Sequence, residues 1–315
     1  MRRLRPVATV LAALGLLAGV VAVATSGVDI PRMIVVGPAS FAPILLCCTV
    51  VGMLLALTAR RWWVAGASAL VLAIAATVVV PLYVADGDAP SGTPITLMQA
   101  NVMLGEADSA ALVASVRDRG VDVLTAQELT PEFVDALDDA GLGDVLPYRF
   151  VMPYPGGAGA GIYSRVPVTD GRELDGYLLS SVTARVDLGT GPVRVYAVHP
   201  VPPYPTPTAV WAQEMSMLRD ELRTAAGSPE PVIVGGDFNA THAHARFRAL
   251  LTDGYVDVGD AVGAGIVPTY PTDKSYPPLV GIDHVLVRGV GATSRAVVDI
   301  AGSDHRGLVV DLALG

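Results

Sequence analysis

Three long stretches without a charged residue occupy most of the first 85 positions of this 315-residue chain: residues 7–25, 33–59 and 64–85. At a rise of about 1.5 Å per residue, each is long enough to cross a hydrocarbon layer of about 30 Å. Helices this apolar would have to be buried on every face in a soluble fold, so the three read as transmembrane helices. Pro38, Pro43 and Pro81 are expected to kink or bound the second and third, which membrane helices tolerate. Cys47 and Cys48, the only cysteines, fall in the second stretch and read as core or lipid-facing residues with no disulfide framework.

The charges that remain before Asp86 are six arginines and Asp29. Arg2, Arg3 and Arg5 precede the first stretch. Arg60 and Arg61 stand between the second and third, beside Trp62 and Trp63 as interface anchors. Basic clusters favour the cytoplasmic side, so three crossings carry everything after Ala85 out of the cytoplasm. A second reading makes residues 7–25 a signal peptide with a small-residue cleavage site at Ala22 to Ala24; the remaining two spans give the same final orientation. The chain thus divides into a membrane anchor (1–85), a linker (86–94) of composition DGDAPSGTP, and a C-terminal domain (95–315). The expected location is the cell membrane, multi-pass, with the lipid bilayer as partner and no stable protein partner.

The part from Asp86 onward holds 29 acidic against 15 basic residues, a formal charge of −14. Such a surface does not attract polyanions by a general field, so any phosphate chemistry needs a local cation. Strands are expected at 95–99, 121–126, 182–188, 193–198, 232–234, 282–287, 296–300 and 308–312. Helices are expected at 108–119 with Asp108 as N-cap, after Thr130–Pro131, and at 208–225 on a stripe of Trp211, Met215, Leu218 and Leu222. Helical crossovers and a hairpin at 189–192 both occur, which fits two mixed sheets covered by helices.

Six of these strands run into an acid, amide or imidazole at or just beyond one end: Asn101, Glu128, His199, Asp237 with Asn239, Asp283, and Asp304 with His305. Any one of them alone reads as a cap or turn residue. Six at strand ends can converge on one crevice held by rigid backbone. Their chemistry suits phosphoester hydrolysis, in which a hard divalent cation on carboxylate and amide oxygens neutralises phosphoryl charge and activates water. Glu128 leads the candidate ligands, with Asn101 beside it and Asp304 as a further carboxylate. Magnesium suits this oxygen set, and manganese suits it too. No cysteine or multiple-histidine spacing suggests zinc.

In their order, QANV (99–102), QE (127–128), GDFN (236–239) and SDH (303–305) resemble the motifs of the endonuclease/exonuclease/phosphatase superfamily, the DNase I-like metal-dependent phosphoesterases. The resemblance covers about 93–315 and implies a four-layer α/β/β/α sandwich with the site at one edge of its two sheets. It implies further that Asp237 positions or deprotonates the attacking water and that Asn239 orients Asp237 or the phosphate. His305 acts as base or cationic donor held by Asp283, and His199 donates to a phosphoryl oxygen. Gly307 departs from the proline often found in that family after SDH-x, and HPVPPYP after His199 is unusually proline-rich, as for a stiff loop framing the substrate.

His242 and His244 either line that groove or sit on the surface at a helix start, and His284 alternates with Asp283 and so points away from the site. Tyr163 reads as a core tyrosine. Arg149, Arg165 and Arg306 are candidate phosphate contacts. The expected activity is hydrolysis of phosphodiesters, in nucleic acid or lipid head groups, outside the cytoplasm. The competing expectation is an inactive binding or scaffold module of the same fold. A transporter is excluded by the lack of intramembrane charge and the small number of spans.

Overall fold

A computed structural model of the chain describes residues 5–87, 90–189 and 191–315. Arg2 and Arg3 of the basic start, Asp88 and Ala89 of the linker and Thr190 of the hairpin turn lie outside the described residues. The apolar segments form α1 (Arg5–Ser26), α2 (Met33–Ser40), α3 (Ala42–Thr58) and α4 (Trp62–Val79). Residues 33–59 are therefore not one straight span: α2 and α3 meet at Phe41 with a bend of 70°, Pro38 inside one helix and Pro43 opening the other. Among the described residues two helices are long and apolar enough to cross a membrane, or three if the bent pair counts as one span. Cys47 and Cys48 are exposed on α3.

Helix α1 packs on α3 through small residues. A Cβ added at Gly15 would lie 2.7 Å from the Cys48 carbonyl and 2.8 Å from the Gly52 Cα, so only glycine permits this approach; close backbone contact is what drives helix association where hydrocarbon surrounds both partners. A Gly15→Leu substitution is expected to destabilise the bundle by about 1–3 kcal/mol through overpacking. Gly66→Leu on α4, where a Cβ meets nothing within 4 Å, is the matched control. Thermal unfolding of both variants in detergent checks this, and equal midpoints would contradict the packing.

The remaining helices are α5 (Ser109–Asp118), α6 (Pro131–Asp139), α7 (Thr208–Ala226), α8 (Ala245–Arg248) and α9 (Val258–Ala261). The side chains of Asp108 and Thr130 cap α5 and α6, accepting from the Ala111 and Phe133 amides at 2.9 and 3.1 Å.

Twelve strands follow in order: β1 (Thr93–Asn101), β2 (Val123–Leu129), β3 (Tyr148–Met152), β4 (Gly159–Ser164), β5 (Val168–Glu173) and β6 (Val182–Asp187), then β7 (Pro192–Val198), β8 (Val232–Asp237), β9 (Val256–Asp257), β10 (Asp283–Arg288), β11 (Gly291–Asp299) and β12 (Arg306–Leu314). They form two six-stranded sheets, β11-β12-β1-β2-β4-β3 and β5-β6-β7-β8-β10-β9. In each sheet one pair is parallel, β1 with β2 and β7 with β8; α5 and α7 supply the crossovers that parallel neighbours need. Strand β5 (VTDGRE) carries too little apolar periodicity to be legible beforehand.

Side-chain alternation sorts the layers. Met98, Ala100, Leu124 and Ala126 face α5 and α6, while Leu97, Val123, Val195, Ile233 and Val285 fill the space between the sheets. Tyr196, Val198, Val232 and Val234 face the Trp211, Met215, Leu218 and Leu222 stripe of α7. Each fully buried Met, Leu, Ile or Val among them contributes about 1.5–3 kcal/mol by leaving water. The result is the expected α/β/β/α sandwich preceded by apolar helices.

The N-terminal helical segment also touches the sandwich directly. Arg248 donates to the Ser26 carbonyl, Arg246 pairs with Asp29 at 2.7 Å, and His244 meets the Val36 carbonyl at 3.0 Å. The Gly265 amide donates to the Leu82 carbonyl at 2.8 Å and the Asp86 amide to that of Ala261 at 2.9 Å, so the segment before β1 is packed at its start.

Candidate active site

Asn101, Glu128, His199 and Asp237 all sit at or just past the C-terminal ends of the four parallel-paired strands β1, β2, β7 and β8. That is the edge at which open α/β sheets present ligands. Asp283 opens the antiparallel β10 in register with Asp237, and His305 immediately precedes β12, so both arrive at the same edge from the other direction.

Alternation turns most of these side chains inward. Positions 233, 235 and 237 share the inter-sheet face of β8, as do 283, 285 and 287 of β10. Gly235 has to be glycine because a Cβ there would collide with the Thr125 hydroxyl of the facing sheet. Glu128 breaks the alternation. Simple periodicity would send it outward with Leu124 and Ala126, but β2 loses register with β4 between Gln127 and Leu129, and Glu128 takes φ = 64°. This bulge swings the carboxylate into the crevice, a strained backbone of the kind found where geometry serves a site.

The carboxylates are close. Asn101 Nδ2 donates to Glu128 Oε1 at 2.9 Å and to Asp237 Oδ2 at 3.1 Å, while its Oδ1 accepts from the Met103 amide and keeps a second lone pair. Glu128 Oε2 accepts from the Leu104 amide at 2.6 Å. His199 Nε2 lies 3.6 Å from Asp237 Oδ2 and 3.9 Å from Glu128 Oε1, and its buried Nδ1 has no partner. His305 Nε2 is also 3.6 Å from Asp237 Oδ2, and its Nδ1 donates to Asp283 Oδ2 at 2.9 Å. Asn239 fixes Asp237 through its backbone amide, 2.8 Å from Oδ1, and its side chain ties the GDFN loop to the Pro200 carbonyl at 3.0 Å.

Glu128, His199 and Asp237 form one group able to hold a cation, and Asp237, Asp283 and His305 form a second. Asp304 belongs to neither group. Burial pushes its carboxyl up, the adjacent His305 opposes this, and the Glu128 carboxylate adds to the push. Burial disfavours charge on His305, yet Asp283 and Asp237 outweigh it and hold the imidazole protonated, pushed up to about 10. His199 is raised against burial by its contact with Asp237, and Asp237 is lowered against burial, first by His305 and then by His199.

Among the described residues no arginine or lysine pairs with Glu128, Asp237, Asp283 or Asp304. Several carboxylates meeting without a basic side chain, on an edge rich in amide oxygens, fit a hard divalent ion. The three candidate arginines are engaged with acids of their own: Arg149 with Asp138, Arg165 with Asp122 and Arg306 with Asp299.

Two glutamines belong to the site although only their neighbours were singled out from the motifs. Gln99 Nε2 donates at 2.9 Å both to Gln127 Oε1 and to Asp283 Oδ1, so it fixes the carboxylate that holds His305. Position 99 shares a face with 101, and that i, i+2 spacing was the available signal. Tyr270 packs against His305 in a tilted ring contact, centroids 4.7 Å apart and planes at 40°, and nothing local in the sequence announces it.

Two of the other histidines are structural, and His242 pairs with Asp260 at 2.9 Å. His284 points away from the site, bonding Asp257 at 2.7 Å and the Ala240 carbonyl at 3.0 Å. His244 is buried: Nδ1 accepts from the Thr241 amide at 2.8 Å and Nε2 donates to the Val36 carbonyl of the anchor. Both bonds require the neutral ring, and burial lowers its pKa to about 4. Below the ordinary value near 6.5 an unfolded chain binds a proton that the folded chain refuses, so this residue removes stability as pH falls toward 4, on the order of 3 kcal/mol. A His244→Phe variant is expected to be less stable at pH 7 but to lose less between pH 7 and pH 5. Calorimetry in detergent at both pH values checks this, and a wild-type loss no larger than the variant's would contradict it.

The model of the Endonuclease/Exonuclease/phosphatase family matches residues 98–305. No curated protein sequence matches the chain. Among solved structures, D. rerio TDP2 complexed with single strand DNA product is 19% identical with a TM-score of 0.59, over 70% of this chain and 99% of that one. An endonuclease/exonuclease/phosphatase from Bacteroides vulgatus is 15% identical with a TM-score of 0.56, over 71% and 100%. Sphingomyelinase C from Streptomyces griseocarneus is 17% identical with a TM-score of 0.51, over 70% and 99%. At these identities the likeness is one of fold.

Proposed function

Because this chain belongs to the endonuclease/exonuclease/phosphatase family, we propose that it is a membrane-anchored, divalent-metal-dependent hydrolase of phosphodiesters acting outside the cytoplasm. The reading rests on one observation: Glu128, His199, Asp237, Asp283 and His305, far apart in the chain, gather into two overlapping clusters at a single sheet edge. Glu128 and Asp237 hold the ion, with the second lone pair of Asn101 and the nearby Asp304 completing an oxygen set suited to Mg²⁺, or to Mn²⁺. A bound ion supplies charge neutralisation at the phosphoryl oxygens and a more acidic water.

The protein's own groups carry the rest. Asp237, fixed by the Asn239 amide, orients the attacking water and receives its proton. His305, held by Asp283, offers Nε2–H to the phosphate, and His199 offers a second donor from the opposite side of Asp237. Membrane attachment follows from the apolar helices. Arg61 reaches Thr9 near the start of α1, which puts Arg5, Arg60 and Arg61 at one end of the bundle, while Ser26, Asp29 and Val36 meet the catalytic domain elsewhere. This separation supports a cytoplasmic basic end and an outer catalytic domain. The acidic domain disfavours long polyanions and the anchor favours lipid head groups as substrate.

Full-length protein in detergent, assayed on bis-p-nitrophenyl phosphate, single-stranded DNA and phospholipid, is expected to require Mg²⁺ or Mn²⁺. It should lose activity to a chelator and recover it on adding metal. Hydrolysis that persists in the chelator, or none on any phosphodiester, would falsify the reading; the second outcome would leave an inactive binding module.

A further inference from the structure

Between the outer ends of the anchor helices and the catalytic domain lies a cavity of about 280 Å³. The helices line it mainly with aliphatic side chains, among them Ala22, Val23, Leu46, Ile74, Ala75 and Val78, and add the hydroxyls of Ser26, Ser40 and Thr77. The domain contributes further apolar surface from Ile266, Val267, Leu279 and Val280, in the loops that lead toward Asp283. Its polar lining comes from a few groups, chiefly the His242–Asp260 pair at 2.9 Å, Arg248 and Arg295. Arg295 donates to the Gly265 carbonyl at 3.0 Å and keeps a buried Nε without a partner. Water alone suits such a space poorly, since most of its walls offer nothing to bond.

We propose that this cavity holds a hydrocarbon chain of a bilayer phospholipid, with the polar end of the lipid toward Arg295 and the His242–Asp260 pair. Two features of the cavity select this occupant. The aliphatic walls are continuous with helices apolar enough to lie in hydrocarbon, so a chain reaches the cavity from the bilayer without crossing water. The charged groups all lie on the domain side, while the Ser40 and Thr77 hydroxyls on the helix side are bonded to carbonyls of their own helices, which gives the cavity the two-ended character of an amphiphile. Thr241 and Asp283 also border it, so a chain seated there lies against the segments that follow Asn239 and precede His305's partner carboxylate. The proposal rests on the membrane attachment described above and not on the hydrolase activity.

The test uses full-length protein in nanodiscs doped with a phospholipid that carries a diazirine near the end of one acyl chain. After illumination, peptide mapping is expected to find adducts on Ile266, Val267 or Val280 as well as on α4. Filling the cavity from the helix side with Ala75→Phe, or from the domain side with Ile266→Trp, is expected to reduce the domain adducts several-fold while labelling of the outward α4 faces persists. Adducts confined to helix faces, or domain adducts indifferent to both substitutions, overturn the proposal. Labelling of the domain by a diazirine fatty acid but not by the phospholipid overturns the choice of occupant. Release of the protein from membranes by alkaline carbonate would instead remove the membrane reading itself, so the two failures are distinguishable.

Discussion

Replacing Glu128 by glutamine is expected to lower kcat/KM on a phosphodiester by about 10³-fold, equivalent to about 4 kcal/mol of transition-state stabilisation. The substitution keeps the shape of the side chain, and its amide oxygen can accept either from Asn101 or from the Leu104 amide, so folding should survive at the cost of one of these two hydrogen bonds. What it removes is one of the carboxylates that meet at the edge without a basic partner. The separating measurement is thermal: Mg²⁺ binds only the folded site and should raise the wild-type midpoint by mass action, and this rise should vanish in Glu128→Gln. A variant that keeps both metal-induced stabilisation and activity would remove Glu128 from the cation site.

His305→Ala is expected to be the second large effect, a fall of about 10²–10⁴-fold in kcat. It should also destabilise the protein by about 3–5 kcal/mol, because Asp283 is left buried with its ionic partner gone. His305→Asn separates the two roles. Its amide can donate to Asp283 from nearly the position of Nδ1 and should restore stability, yet it presents nothing to the phosphate in place of Nε2. Activity that recovers together with stability would mean that His305 only supports the fold. Asp283→Asn should lower kcat while sparing KM, since it acts through the orientation of the ring.

Most of the architecture was legible because the strands carry their layers in alternation. Val232 to Val234 already announced a strand with two buried faces, and the alternating 283, 285, 287 series separated Asp283 from His284 as the coordinates do. What stayed hidden depends on backbone irregularity or on distant partners. Glu128 was identified by its place in a motif, but no local pattern reveals the bulge that aims it. His244 looked like a groove or surface residue because its acceptor is the carbonyl of Val36, far earlier in the chain. Gln99 and Gln127 lie inside the QANV and QE motifs with little signal of their own, since amides at strand ends are ordinary until their partners are known. The 70° bend at Phe41 was foreshadowed only by its flanking prolines.

If the proposed function holds, the lashings between the N-terminal helices and the sandwich limit where catalysis can happen. Ser26, Asp29, Val36, Leu82 and Asp86 grip the domain at separate places, from before and after α4. A domain on a slack leash could sample a shell of solvent around its attachment point. On the proposed reading this domain has no such freedom, and its workplace would be the thin layer of fluid directly above the helices: substrates would have to be delivered there by lateral diffusion or descend to it, because an enzyme so held cannot go looking.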